Sequence, residues 1–489
     1  MSESDLGRVT DVFEQFVRDL GLYAVARVVP AILSVVTLVV FTRAFPPSAY
    51  GRYALTLSIA TILGTVCYGW IDQAIVRFEP HIEPSLLIGN VSWLIVSIGV
   101  GLGILSVLVR VIVAPVLGPF EPFVFAGAAV AITQGTYYVL RALLRVRLQS
   151  RSVLRYELIQ SVGGVAFALV LVFVVLNDIV GWLWGTAIAS GATALVLAVQ
   201  LGFRTDSINI DAAFANRMAR YGFPLIGWLV GLTALNFADQ ILIQLLRGSE
   251  ATGIYASNYS VVLYGLGLVF TPFVTAAEPI LMNLWNDDND AELAAVITDI
   301  TRYLLLVGVP GVIGLSALNR VVSGLLLDTS YLAGSIIIPF VAAGLLCWNA
   351  AVIGQKAIEI EERTIVLFVG VAMTVVVNVI TNVPLIMRFG YVGAAIATFV
   401  SFLLYAVFIY VVSRRFIPWR LPWHSLRNTA VASLALLVPY AAVFGLGWGS
   451  TLPLVVASVV GSAGYLGAIY LLGELQETEL RKLKGMLGS

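Results

Sequence analysis

The chain has 489 residues, of which 60% are hydrophobic and only 11% charged, and its mean hydropathy is +0.96. Soluble domains carry about 25% charged residues, so this composition excludes an ordinary soluble protein and indicates a multi-pass membrane protein. The net charge is zero, which provides no basic surface for nucleic acid, and no nucleic-acid partner is expected. Two isolated cysteines, Cys67 and Cys347, indicate neither a disulfide framework nor a zinc site, and no cofactor or metal is predicted.

The first 20 residues differ from the rest because charged and apolar side chains are interspersed there. Leu6, Val9, Phe13 and Val17 follow helical spacing, which predicts a short amphipathic helix in the membrane interface over residues 1–20. A polar cytoplasmic tail explains the same composition, and both interpretations stay open.

Fourteen apolar stretches follow, most of them long enough to cross the ~30 Å hydrocarbon core of a bilayer as a helix. The first six form an N-terminal lobe (21–210), the next six a C-terminal lobe (211–415), and the last two lie with the tail in 416–489. The prediction is an all-α polytopic membrane protein of two six-helix lobes plus two extra helices. The stretches lie near 21–42, 53–73, 87–109, 123–144, 154–176, 180–201, 221–246, 252–277, 302–325, 332–354, 364–387, 392–412, 427–447 and 451–473.

Basic residues predict the orientation of these spans. Most of the 28 Lys and Arg side chains fall on one side of the membrane when the N-terminus is placed inside. Loops that carry more Lys and Arg face the cytoplasm, so both termini are expected there, in the cell membrane.

Two short motifs repeat in the same order. Ala49-Tyr50-Gly51-Arg52-Tyr53 returns, 202 positions later, as Ala251-Thr252-Gly253-Ile254-Tyr255, and both lie between a first and a second span. Gly185-Thr186-Ala187-Ile188-Ala189-Ser190 returns as Gly393-Ala394-Ala395-Ile396-Ala397-Thr398. Both halves begin inside, so the pattern indicates a parallel repeat about an axis along the membrane normal. Chance similarity between apolar stretches is the alternative.

The first motif, within Phe45-Pro46-Pro47-Ser48-Ala49-Tyr50-Gly51-Arg52-Tyr53-Ala54 and followed by Gln73-Ala74-Ile75-Val76-Arg77-Phe78, resembles the polysaccharide flippase family. Asp239 followed by Gly253-Ile254-Tyr255 is similar to the seventh and eighth spans of the same family. This family belongs to the multidrug/oligosaccharidyl-lipid/polysaccharide (MOP) exporter superfamily. The resemblance implies a MATE-like fold and a transporter, not an enzyme, that moves lipid-linked oligosaccharides between leaflets.

Charged residues near the inner ends of spans form the candidate substrate site. Arg27, Arg77 and Arg141 are expected to line an inward-facing vestibule, since guanidinium groups bind phosphate oxygens in a bidentate manner. Asp72 and Glu278 would hold these arginines in place. The alternative for Arg77 and Arg141 is that they only reach toward lipid headgroups and set the topology.

Asp239 is a separate candidate because it lies deep within the seventh span. An ionisable side chain at such depth is a functional-site hypothesis by default. It is expected to take up H⁺ or Na⁺ and so couple transport to a gradient. The alternative is a structural acceptor for hydrogen bonds from Asn236, Gln240 or Tyr side chains.

The expected substrate is a polyprenyl phosphate- or pyrophosphate-linked glycan, carried by a monomer within the bilayer. A MATE-type cation antiporter would need an acid-lined outward cavity, which the inner arginines disfavour. A membrane polymerase or transferase would need a large outer loop or clustered carboxylates and histidines there. Both His81 and His424 are predicted on the inner side, and no outer loop is long.

Overall fold

The computed structural model describes residues 29–203, 210–285, 290–446 and 451–474. The predicted interfacial helix at 1–20 and Arg27 lie outside the described residues. The described residues form helices and no strand. The helices are α1 (Val29–Ala44), α2 (Pro47–Phe78), α3 (Pro84–Leu117), α4 (Glu121–Val146), α5 (Ser150–Val170), α6 (Val180–Gln200), α7 (Ala212–Trp285), α8 (Asp290–Ala317), α9 (Asn319–Leu326), α10 (Ile338–Ile360), α11 (Thr364–Phe389), α12 (Tyr391–Ser413), α13 (Trp423–Gly445) and α14 (Thr451–Leu471).

Eleven helical stretches of the described chain are long and apolar enough to cross a membrane. Two of them, Pro84–Val146 and Leu229–Met282, each contain two helices, and the shorter apolar helix Val29–Ala44 adds another. The described residues therefore hold fourteen apolar helices, and the predicted fold class of a polytopic all-α membrane protein is confirmed.

α7 is two antiparallel helices that meet at Gly248. This residue has φ 83° and ψ −179°, a conformation that only glycine adopts without strain. The two arms, α7a (212–247) and α7b (249–285), fold back on each other, because Tyr255 contacts Asp239, 16 residues earlier. They correspond to the predicted seventh and eighth spans.

The ninth span differs from its predicted bounds of 302–325. α8 begins at Asp290, whose carboxylate and that of Glu292 lie in its first turn, where negative charge stabilises a helix. It ends at Ala317, and the chain continues as the short helix α9 and the 3₁₀ segment Thr329–Ile337. Apolar composition alone did not reveal this change of direction.

The described residues pack around two large hydrophobic cores. One core draws mainly on residues 38–218 and the other on residues 235–419. The second repeat motif packs alike in both cores: Gly185 of α6 lies against the backbone of α5 at Ala168, and Gly393 of α12 against that of α11 at Leu385. Below, α1–α6 are called the N-terminal half and α7–α12 the C-terminal half.

A buried ion pair joins the last two helices to the C-terminal half. Arg302 of α8 lies 3.7 Å from the carboxylate of Glu474, which follows α14, and also donates to the Glu474 carbonyl oxygen. Asn428 of α13 donates to the same carboxylate at 2.8 Å. Burial alone would raise the pKa of Glu474, but hydrogen bonds from Ser425, Asn428 and His424, together with the charge of Arg302, hold it below its ordinary value.

Candidate translocation and ion-coupling site

The two halves touch through the glycines of the first repeat motif. A Cβ atom at Gly51 of α2 would overlap with the carbonyl oxygen of Ser249, and one at Gly253 of α7b with the carbonyl oxygen of Pro47. The two backbones therefore approach as closely as only glycine permits. This contact joins the halves at the predicted outer end of the bundle.

From that end, α2 packs along α7a over most of its length. Ser58 donates a hydrogen bond to Gln240 at 2.8 Å, and both side chains are buried. Nearer the predicted inner end, Trp70 stacks on Phe223 with ring centroids 5.0 Å apart, and Phe78 meets Tyr221 edge-on. The α2–α7a seam is thus continuous between the halves.

The structure pairs Asp72 with an arginine that the sequence analysis did not select. Arg145 of α4 lies 2.7 Å from the Asp72 carboxylate. Asp72 therefore does not hold Arg77 or Arg141, and that prediction is wrong. The reason is geometric: α4 packs beside α2, so its inner end faces Asp72, whereas Arg77 follows Asp72 on the same helix.

Arg141 is also engaged within the N-terminal half. Its guanidinium lies 2.5 Å from Glu157 of α5, and both side chains are about a quarter exposed: 24% and 30%. The same guanidinium lies 5.0 Å from the ring centroid of Tyr138. Glu157 is a further candidate site residue, and a carboxylate in an otherwise apolar span was the sequence signal for it.

Arg77 is the predicted site residue whose charge stays available. It lies in the last turn of α2, its side chain is exposed, and it forms no ion pair or hydrogen bond with another described residue. The next carboxylate along the chain, Glu79, pairs with Arg147 at 2.7 Å. The inner end of the N-terminal half therefore combines paired arginines with exposed arginines that have no ion pair among the described residues, and Arg77 is one of these.

Glu278 lies in the C-terminal half beside a lysine. The ammonium of Lys356 is 3.6 Å from the Glu278 carboxylate and 2.6 Å from that of Glu359. Glu278 is largely exposed, and its partner is not one of the three predicted arginines, so that part of the prediction is also wrong. Sequence distance hid the pairing, because Lys356 follows 78 residues later on α10.

Asp239 is buried, with an exposed fraction of 2%. It accepts hydrogen bonds from Tyr255 at 2.6 Å, from Asn382 of α11 at 2.8 Å, and from the hydroxyl of Thr398 of α12. The predicted neighbours Asn236 and Gln240 point elsewhere, since Asn236 donates to the Leu232 carbonyl and Gln240 accepts from Ser58.

The surroundings of Asp239 consist of hydroxyl and amide groups, without a compensating charge among the described residues. None of the described Lys or Arg side chains pairs with its carboxylate. Among the described atoms, Asn382 Oδ1 and Tyr259 Oη are buried and accept or donate no hydrogen bond. A carboxylate with amide and hydroxyl oxygens is the donor set that hard cations prefer. The carboxylate of Asp239 and the hydroxyl oxygens of Tyr255 and Thr398 are ligands of this kind.

Comparison with known proteins identifies the family. The profile of the family described as "Polysaccharide biosynthesis protein" matches residues 16–285, more than half of the chain. The chain belongs to this family. The predicted resemblance to the polysaccharide flippase family is therefore confirmed. A separate search of curated protein sequences gives no match.

Solved structures show the same fold in members of the MOP superfamily. A lipid II flippase, MurJ, in an inward closed conformation matches with a TM-score of 0.74 and 14% identity over 92% of this chain and 98% of that chain. An inward-facing MATE multidrug transporter matches with a TM-score of 0.62 and 12% identity, over 81% and 98%. A MATE transporter from Vibrio cholerae gives 0.55 and 12%, over 82% and 98%. This family member thus has the fold of a MOP-superfamily transporter.

Proposed function

We propose that the protein moves lipid-linked oligosaccharides across the cytoplasmic membrane, for the synthesis of cell-surface polysaccharides or glycans. The Gly51–Gly253 contact carries the proposal, because it closes one end of a bundle built from two similar halves. Two such bodies can rock about a seam and expose a shared cavity to either side in turn. Family membership and the MurJ-like fold support this function. The proposal places both termini in the cytoplasm.

In this proposal the sugar phosphate enters at the inner end and the polyprenyl tail stays in the bilayer. Arg77 offers an uncompensated guanidinium to the phosphate. Arg141 and Arg145 join it by exchanging Glu157 and Asp72 for phosphate oxygens, since ion pairs near water cost little to exchange. Arg27 completes this set as a further proposed ligand. When the substrate leaves, Glu157 and Asp72 pair again with Arg141 and Arg145. These guanidinium groups are then not left without a partner.

We further propose that a cation at Asp239 drives the cycle. The carboxylate lies within hydrogen-bond distance of two hydroxyl groups and one amide, and oxygen ligands of this kind suit Na⁺ as the coupling cation. An ionised carboxylate buried in the membrane is costly without a counter-ion. Cation binding would therefore stabilise the packing of α7, α11 and α12 around it.

The test is a flipping assay in proteoliposomes that hold the purified protein and a polyprenyl-pyrophosphate-linked oligosaccharide with a fluorescent label on the sugar. Arg77→Ala and Arg27→Ala are expected to abolish flipping without loss of folded protein in the membrane. Arg420→Ala, an exposed arginine at the same predicted side, is the matched control and should flip normally. Normal flipping by both Arg77→Ala and Arg27→Ala, or export of organic cations without flipping, would contradict the proposal.

A further inference from the structure

The segment 319–337, called the strap below, crosses from one half of the molecule to the other. It comprises the short helix α9 and the 3₁₀ segment Thr329–Ile337, and it belongs by sequence to the C-terminal half. Yet its residues Leu327 and Tyr331 are fully buried within the hydrophobic core of the N-terminal half. The strap therefore packs into the half to which it does not belong by sequence.

Two hydrogen bonds fasten the strap to the N-terminal half. The hydroxyl of Tyr331 donates to the carbonyl oxygen of Phe45 at 2.8 Å, at the turn between α1 and α2. Two residues earlier, the guanidinium of Arg43 donates to the carbonyl oxygen of Leu325 at 2.8 Å. The Tyr331 ring also meets that of Tyr50 edge-on, beside Gly51. These contacts cluster at the end where the glycines meet.

A separate set of bonds holds the strap to its own half. Asn258 of α7b donates to the Tyr331 carbonyl oxygen at 3.0 Å and accepts from the hydroxyl of Ser323 at 2.8 Å. Gly334 packs directly on the Asn258 amide, where a Cβ atom would overlap with it. Asn258 and Ser323 are completely buried. This side of the strap is held by buried hydrogen bonds within one half, so separation of the halves would break the Tyr331 side first.

We propose that the strap is the latch of the outer side: Tyr331 inserts into the N-terminal half in the outward-closed state and withdraws when the outer side opens. The inference rests on the proposed alternation of the two halves, but not on the identity of the substrate or the coupling ion. Because the strap moves with α7b, opening at this end requires Tyr331 and Leu327 to withdraw and Arg43 to release, together with separation of the Gly51–Gly253 contact.

The latch can be tested by labelling from outside. Ser257, completely buried, lies one turn inward of Gly253 on the same face of α7b. In a chain with Cys67 and Cys347 replaced by Ala, Ser257→Cys reports opening through its rate of reaction with a membrane-impermeant maleimide added outside. Tyr331→Phe is expected to raise that rate about fivefold, the shift in population that one lost hydrogen bond produces. Tyr331→Ala, which also removes the buried ring, should raise it by roughly a hundredfold.

Tyr391→Phe is the matched control. The Tyr391 hydroxyl donates to the strap carbonyl of Ala333 at 3.1 Å, a bond that stays within the C-terminal half. Its loss should leave the labelling rate unchanged. Equal rates for Tyr331→Phe, Tyr391→Phe and the parent would overturn the latch, and so would an equal increase in both variants.

A cross-linking experiment covers the case in which Tyr331 variants fold poorly. Arg43→Cys with Leu325→Cys, joined by a short bifunctional maleimide, should lower outside labelling of a cysteine at 257 below the parent rate and stop transport. Labelling that continues at the parent rate in the cross-linked protein would overturn the proposal. If labelling responds to the cross-link as expected but the uncross-linked protein does not flip the labelled oligosaccharide, the latch is supported and the proposed substrate is wrong.

Discussion

In the C-terminal half Asp239 accepts hydrogen bonds from Tyr255 and Thr398, whereas the corresponding positions of the N-terminal half hold Thr37, Tyr53 and Ser190. The Thr37 hydroxyl donates to its own helix at Leu33. The polar groups of the N-terminal half are thus satisfied locally, while those of the C-terminal half converge on a carboxylate.

The other two counterparts differ in the same way. Tyr53 stacks on Trp182 with ring centroids 4.1 Å apart, and Ser190 accepts from Gln160 at 3.1 Å. Gly51 and Gly253, by contrast, play matching parts in a single contact. The comparison teaches that the repeat preserves the close backbone packing in both halves, whereas the C-terminal half has a buried carboxylate where the N-terminal half has Thr37.

The largest expected effect comes from the shared glycines. Gly51→Ala and Gly253→Ala should each reduce flipping to below about a tenth, because overpacking of this kind costs about 1–3 kcal/mol or more and here displaces backbone. Gly101→Ala is the control, since a Cβ atom at Gly101 meets no described atom within 4 Å. If one glycine variant flipped normally and the other did not, the two glycines would not play matching parts in the contact.

The next largest effect is expected for Asp239 and not for the corresponding residue of the N-terminal half. Asp239→Asn should abolish the dependence of flipping on a cation gradient, because the amide cannot balance a bound positive charge. Thr37→Val, at the corresponding N-terminal position, should retain that dependence. The measurement is the initial flipping rate with and without an imposed Na⁺ gradient. Retained dependence in Asp239→Asn would remove this residue from the mechanism.

A smaller effect is expected from the partner hydroxyls. Thr398→Val should weaken the apparent affinity for the coupling cation about tenfold, because it removes a hydroxyl oxygen that would bind the cation beside the carboxylate, and a polar contact with a charged group contributes about 1.5–3 kcal/mol. Ser190→Ala should leave the affinity within about twofold, because it removes a neutral hydrogen bond in the other half. Titration of the flipping rate against cation concentration gives both values. Similar losses in the two variants would contradict the asymmetry.

The smallest effect concerns the additional helices, which only the C-terminal half supports. Glu474→Gln should lower the melting temperature by about 2 °C or less at neutral pH, in a chain of this size. A pKa held below its ordinary value means that the carboxylate stabilises the fold above that ordinary value and loses this contribution as pH falls through the lowered one. Variant and parent should therefore converge in acid. A gap that widens as pH falls would contradict the assigned charge state.

The sequence was sufficient for the fold, and it marked Asp239 as a candidate residue for ion coupling. Hydrophobic runs specified the spans, and the depth of Asp239 in an apolar stretch marked it. Asn378 and Asn382, four residues apart on α11, were a usable signal that was missed, since their spacing puts two amides on one face of a helix. Thr398 lies in the second repeat motif, but the motif did not indicate its contact with Asp239.

The candidate substrate site was harder to predict because its charges pair across helices. Asp72 and Arg145 are 73 residues apart, and depth alone could not show which arginine faces the carboxylate. Lys356 lies beside Glu278, and their separation of 78 residues in the sequence gave no sign of this contact. Composition gives the depth of a charge, whereas helix packing decides its partner.

The most direct measurement is the binding of radioactive Na⁺ to the purified protein by equilibrium dialysis. The account predicts one saturable site per chain, absent in Asp239→Asn and retained in Thr37→Val. Binding that survives Asp239→Asn, or that is lost equally in both variants, would contradict the claim that the C-terminal half alone holds the coupling site.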